Sequence, residues 1–158
     1  MMLYTLATLP HILYLFIWRF PKAFEVCIGK RDPVRTTASL SLSLKVALVL
    51  YIFGSGLRDG RTMDFINDIG VSNICFIGFG QVLNGLVFFR LGERGIFYGN
   101  KFGHNMVWVT AFPFNVFYHP QYLGAVLSLV GLCPLVSLAF IQYSCMLYSA
   151  TALVETYM

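Results

Sequence analysis

From Phe102 to Val154 the chain carries no Asp, Glu, Lys or Arg. A water-exposed surface cannot be built from so long a stretch without charge, so this part of the chain belongs in an apolar medium. Elsewhere the composition points the same way. Charged residues make up 11% of the 158 residues and hydrophobic residues 58%, against roughly 25% charged in an ordinary soluble domain. Disorder, a secreted disulfide scaffold and a cytosolic α/β enzyme are excluded on these grounds. The expectation is an all-α integral membrane protein, a polytopic bundle of four to five transmembrane helices forming one domain over residues 1–158.

The net charge of +4 reads as topology rather than as a nucleic-acid footprint, because the cations fall in short clusters between apolar runs. Cys27, Cys75, Cys133 and Cys145 lie far apart with no ligand spacing, which disfavours a metal site or a disulfide framework. The three cysteines in apolar runs read as small hydrophobes packed within helices. A helix needs about 20 apolar residues to cross the hydrocarbon. Met1 to Trp18, Thr36 to Leu57 and Ile69 to Phe89 fit that length. The first has no preceding positive segment and is followed by Arg19, so it reads as a span rather than a cleaved leader. The run from Gln121 to Val154 would extend about 51 Å as one helix, and Cys133-Pro134 breaks it, giving a helical hairpin. Met106 to Tyr118, interrupted by Pro113, reads as interfacial or re-entrant.

Loop one (residues 19–35) holds Arg19, Lys22, Lys30, Arg31 and Arg35. Loop three holds Arg90, Arg94 and Lys101, whereas in loop two Arg58 and Arg61 are offset by Asp59, Asp64 and Asp68. The positive-inside rule then places loops one and three on the cytosolic face. Loop three, His119 and Glu155 meet at that face.

Several residues there could carry chemistry, each beside a plainer role. His119 precedes Pro120, which suits the first turn of a helix; its ring can face a cleft or simply flank a cap. The segment GFGQ (78–81) is either a contact surface for a ligand or a place of close helix packing. Gln81 and Asn84 need polar partners inside a bundle. RLGERGIFYGNKFG (90–103) reads either as a helical small face or as a glycine-dense loop able to lie over a nucleotide. Phe112 and Phe114 flank Pro113 as a rigid apolar wall or a surface anchor. Glu155 closes the last helix as a site acid or as a solvated end. Lys45 reads as a snorkelling cation, and His11 as a histidine hydrogen-bonded within the bundle. His104 has no neighbouring partner in sequence.

GFGQVLN (78–84), RLGERGIFYGNKFG (90–103), VTAFPFNV (109–116) and HPQYLG (119–124) stand in the order and spacing of the phospholipid methyltransferases. LPHILYLFIWRFPKAFEVC (9–27) and DPV (32–34) also resemble that family's first-loop pattern, so the resemblance covers nearly the whole chain. The resemblance implies transfer of methyl groups from S-adenosyl-L-methionine to phosphatidyl-N-methylethanolamine and phosphatidyl-N,N-dimethylethanolamine in the bilayer, giving phosphatidylcholine, with no metal. It further implies an endoplasmic reticulum membrane address. Gly78, Phe79 and Gly80 take the family's cofactor role, as do His119, Pro120, Tyr122 and Gly124. Of the acidic pair that the family assigns to the cofactor, Glu155 is present and Thr156 replaces the second. On the same resemblance His119 and Glu155 are candidate catalytic residues, and Phe112, Phe114 and Asn115 candidate lipid contacts. Two alternatives remain open at this point: a prenylcysteine-type carboxyl methyltransferase, whose relatives carry Arg where Tyr118 stands, and a non-enzymatic small helical membrane protein.

Overall fold

The computed structural model describes residues 1–107 and 109–157. Among them every regular element is helical: α1 (Met2–Arg19), α2 (Pro21–Ile28), α3 (Pro33–Arg58), α4 (Arg61–Asp68), α5 (Val71–Ile96), α6 (Pro120–Gly131) and α7 (Leu138–Tyr157), with a 3-10 turn at Gly99–Phe102. Two stretches, Pro33–Arg58 and Val71–Phe102, are long and apolar enough to cross a membrane. Their outward faces carry exposed Leu42, Val46 and Leu50 on α3 and Ile74, Val82 and Phe89 on α5. Water would not favour those surfaces; lipid would.

Local chemistry sets the helix boundaries. Asp32 caps α3 by accepting from Arg35 N at 2.7 Å, with Pro33 in the first turn. Pro120 opens α6 with His119 as the residue before it. Ser137 Oγ accepts from Phe140 N at 3.2 Å and so starts α7. The break expected at Cys133-Pro134 is present between α6 and α7. α6, at 12 residues, rises only about 18 Å, less than the full hydrocarbon thickness.

Loops one and two, expected as connections, each fold into a short helix, α2 and α4. Loop three is largely helical: α5 continues to Ile96 through a kink at Gly92, whose φ of 64° suits glycine. Of Met106 to Tyr118, Trp108 lies outside the described residues; the rest of that segment is turn and coil. Cys75 and Cys133 are exposed rather than packed, because α5 turns Cys75 outward and Cys133 sits at the turn after α6.

Polar contacts give the register. α1 and α7 run parallel, tied by Thr8 Oγ1 to Tyr143 Oη at 2.7 Å and His11 Nδ1 to Thr151 Oγ1 at 2.8 Å. α5 and α6 run antiparallel, tied by Asn73 Nδ2 donating to Gly131 O at 3.0 Å and Gln81 Nε2 donating to Ser128 Oγ at 2.9 Å. Beside the second of these bonds Gly80 meets Gly124 backbone to backbone. A Cβ on Gly80 would collide with the Gly124 carbonyl, and one on Gly124 would lie 2.6 Å from the Gly80 carbonyl oxygen. This close approach is the small-residue packing that holds helices together where lipid offers no hydrophobic contrast.

The register sorts the chain into two ends. At one, Arg61 Nη1 donates to Leu135 O at 2.9 Å, joining α4 to the α6–α7 turn beside a core of Ile52, Phe65, Leu135, Val136 and Phe140. At the other, Tyr14, Ile17, Phe24 and Tyr98 form a second core. Loop one, loop three and the end of α7 gather around this second core, which is where the candidate site lies.

Candidate active site

Glu155, in the last turn of α7, is held by two tyrosines from separate segments. Tyr98 Oη donates to Glu155 Oε1 at 2.5 Å, and Tyr122 Oη lies 2.8 Å from Oε1 and 2.7 Å from Oε2. Hydrogen bonds to an ionised carboxylate are short, and each contributes about 1.5–3 kcal/mol. Tyr122 comes from the first turn of α6, so the α6–α7 hairpin itself brings ring and acid together. Tyr98 comes from the end of loop three in the left-handed region, with a φ of 58°. A bulky residue rarely adopts this conformation. The strain is held by what Tyr98 contacts: it is 8% exposed, with Tyr14 and Trp18 edge-on at 5.7 and 6.0 Å between ring centroids.

His119 stands on the same corner. Its ring stacks on Tyr122 at 5.5 Å and 16°, and Tyr118 meets its edge at 5.3 Å. His119 Nε2 lies 3.2 Å from Thr156 Oγ1, whose own hydrogen goes to Ala152 O at 2.8 Å. Nε2–H is therefore the donor, leaving the Nδ1 lone pair free to accept a proton. Thr156 thus fills the second position of the expected acidic pair by anchoring the histidine.

The GxG segment divides. Gly80 is buried in the α5–α6 contact against Gly124 and Ser128, while Gly78 has nothing within 4 Å of where a Cβ would stand and Phe79 is exposed. Gln81 serves as interhelical glue through Ser128. Asn84 Oδ1 is buried beside Gly124 with no hydrogen-bond partner, as is the hydroxyl of Tyr14. Phe112 and Asn115 are exposed and Phe114 half-buried; no hydrogen bond or ring contact joins them to Glu155 or His119 among the described residues. His11 is buried with Tyr148 edge-on at 4.6 Å, and Lys45 Nζ lies 5.8 Å above the Tyr14 ring. His104 stays apart. No group of acids, histidines and cysteines able to hold a metal occurs among the described residues.

Sequence reasoning did not single out Tyr98, Tyr14 or Trp18. The only sequence signal was an aromatic residue between glycines in loop three, and its partner lies 57 positions away.

Residues 70–157, which carry all of this corner except the α1 rings, match the family model described as phospholipid methyltransferase. The chain belongs to that family. It is 35% identical over 124 residues to a phosphatidyl-N-methylethanolamine N-methyltransferase of Arabidopsis thaliana, covering 78% of this chain and 71% of the plant protein. Identity to the Saccharomyces cerevisiae protein of the same name is 32% over 111 residues, 68% of this chain and 53% of the yeast protein. The phosphatidylethanolamine N-methyltransferase A of Dictyostelium discoideum is 36% identical over 110 residues, 68% of this chain and 51% of that protein. The chain spans about half the length of these last two relatives. No solved structure matches it.

Proposed function

We propose that the corner formed by Glu155, Tyr98, Tyr122 and His119 is where this chain methylates the amino headgroup of a phospholipid. The chain is an enzyme, a phospholipid N-methyltransferase. Its relatives' names favour amino lipids over a prenylcysteine carboxylate, and they leave a non-enzymatic membrane protein without support. The substrates are phosphatidyl-N-methylethanolamine and phosphatidyl-N,N-dimethylethanolamine, and the product is phosphatidylcholine. The observation that carries this reading is the convergence of an acid and a histidine with a free nitrogen at one end of the bundle.

The methyl donor is S-adenosyl-L-methionine, which when bound supplies an electrophilic methyl on a cationic sulfur. The residues present fit it. Glu155 offers a carboxylate for the donor's ammonium, the open side of Gly78 admits close approach, and Asn84 Oδ1 beside Gly124 is an acceptor unfilled among the described residues. Pro120 opens the helix that presents Tyr122, and Phe79 offers an exposed ring next to Gly78. Aromatic rings attract a cation by about 0.5–2 kcal/mol. The segment that carries exposed Phe112 and Asn115 and half-buried Phe114, shortly before His119, is assigned to the lipid.

An alkylamine is largely protonated at neutral pH, so a proton must leave before the nitrogen can attack. His119 Nδ1 accepts it, while Thr156 holds the ring in place through Nε2. The nitrogen–carbon bond then forms as the sulfur–carbon bond breaks, with positive charge moving from sulfur to nitrogen. Since no net charge is created, alignment and exclusion of water dominate; orientation alone contributes roughly 7–11 kcal/mol. A lipid anchored in the bilayer supplies part of that alignment.

Four to five helices cross the bilayer in this reading, in an endoplasmic reticulum membrane. Arg19, Lys22, Lys30, Arg31, Arg35, Arg90, Arg94 and Lys101 lie in the segments that gather at the site end, which makes that end cytosolic. The test is turnover by the purified chain with each headgroup in turn, products identified by mass. His119→Ala should lower kcat about 100-fold or more, in the range of a lost general base. Full turnover and unchanged donor affinity in that variant would remove His119 from the mechanism.

A further inference from the structure

The turn from Tyr98 to Gly103 makes two contacts of opposite charge, and the methylation corner uses only one of them. Tyr98 reaches Glu155. Three residues on, Lys101 Nζ lies 3.6 Å from the centroid of the Trp18 ring on α1. The two contacts form one unit, because Lys101 N donates to Tyr98 O at 2.8 Å and Trp18 is itself edge-on to Tyr98. Gly103, at a φ of 80°, closes the turn behind them.

Both groups at the Trp18 end want an anion. Among the described residues the one ion pair is Arg61 with Asp59, so Lys101 has no carboxylate partner. Trp18 Nε1 is buried with no acceptor among the described residues, and an indole nitrogen can only donate. A buried donor left unfilled keeps the full cost of its desolvation. The ring face holds the ammonium through its quadrupole, more weakly than charge-assisted bonds to a phosphate would. A group with several acceptor oxygens could satisfy both the indole N–H and the ammonium.

We infer that Lys101 Nζ and Trp18 Nε1 form a seat for a phosphate group, that of the lipid whose amine is methylated beside Glu155. An amino phospholipid headgroup is a zwitterion, with ammonium and phosphate separated by two carbons. The turn carries the cation for the phosphate three residues from Tyr98, while Glu155 stays with the donor's ammonium. Trp18 lies outside residues 70–157, so this seat recruits α1 to substrate recognition. The inference rests on the proposed N-methylation.

The experiment compares phosphatidyl-N-methylethanolamine with a long-chain N-methylalkylamine that lacks phosphate, using the full chain in detergent. Lys101→Met should raise the KM for the phospholipid about tenfold, the value of one charge-assisted bond. The KM for the phosphate-free amine, kcat and donor affinity should stay within about twofold, and Lys101→Arg should restore the phospholipid KM. Trp18→Phe, which keeps a ring and removes the N–H, should shift the same KM in the same direction and serves if Lys101→Met does not fold. Inorganic phosphate that competes with the lipid in the wild type but not in Lys101→Met marks a seat open to phosphate generally. No competition, with the KM effect intact, confines the seat to the lipid's own phosphate. An unchanged phospholipid KM, or an equal rise for both amines, overturns the inference. If the wild type methylates neither amine, it is the proposed function that fails.

Discussion

A carboxylate offers about four lone-pair positions, and the two tyrosine hydroxyls on Glu155 leave the others for an incoming ammonium. Tyr122→Phe removes one hydroxyl and keeps the ring stacked on His119. Losing a hydrogen bond to a charged group is worth about 1.5–3 kcal/mol, so ligand ammonium should be held at least about tenfold less tightly. Donor-dependent thermal stabilisation in detergent measures this, since ligand at 100 times its dissociation constant adds about 2.7 kcal/mol. The Thr156 hydroxyl works differently, because it orients His119 without touching the carboxylate. Thr156→Val should lower kcat several-fold and leave donor affinity unchanged, and Thr156→Ser should restore kcat. A loss of donor affinity in Thr156→Val, with kcat unchanged, would reverse the two roles. His119, Tyr122 and Glu155 were readable in the sequence because they sit in a compact motif or at a helix end. Tyr98 was not, because what fixes its role is a left-handed backbone and a contact with the far end of the chain, neither of which leaves a local pattern.

At the scale of elements, the long helices were legible from apolar runs: the expected Thr36 to Leu57 lies inside α3, and Ile69 to Phe89 overlaps α5 from its first residue, Val71. The residues added at their ends include the charged Arg35, Arg58, Arg90, Glu93 and Arg94, as suits helix ends facing the interface. The eight-residue helices α2 and α4 span barely two turns, too few for a periodic signal to separate from a loop. The GxG segment shows how one motif can hold two physical roles. Gly80 is a packing residue, so Gly80→Val should destabilise the α5–α6 pair by about 1–3 kcal/mol, read as a lowered melting temperature. Gly78 faces open space, and Ala is the better helix former by up to about 1 kcal/mol. Gly78→Ala should therefore leave the melting temperature unchanged or raised. A fall in donor affinity in Gly78→Ala, without a fall in stability, would mark that face as a ligand contact.

Across the whole molecule, the two ends differ in charge as well as in contacts. The site end collects the cations of loops one and three, whereas the opposite end pairs Arg61 with Asp59 at 2.9 Å and holds the α6–α7 turn. Parallel α1 and α7 and antiparallel α5 and α6 require Glu155 and His119 to share an end, and they require the turn at Pro134 to lie at the other. If the bundle crosses a bilayer with that axis upright, the two ends face different compartments. The chain carries its own reporters for this: Cys27 in α2 at the site end and Cys133 at the far turn, both exposed. Single-cysteine versions in sealed microsomes should react with a membrane-impermeant maleimide from opposite sides, Cys27 in intact vesicles and Cys133 only after permeabilisation. Labelling of both from the outside would mean that α6 and α7 return without crossing, and the short rise of α6 would then describe a hairpin dipping into one leaflet. Glu155 and His119 would still share a face in that case, because the bond between Tyr122 and Glu155 joins the two helices wherever the turn ends.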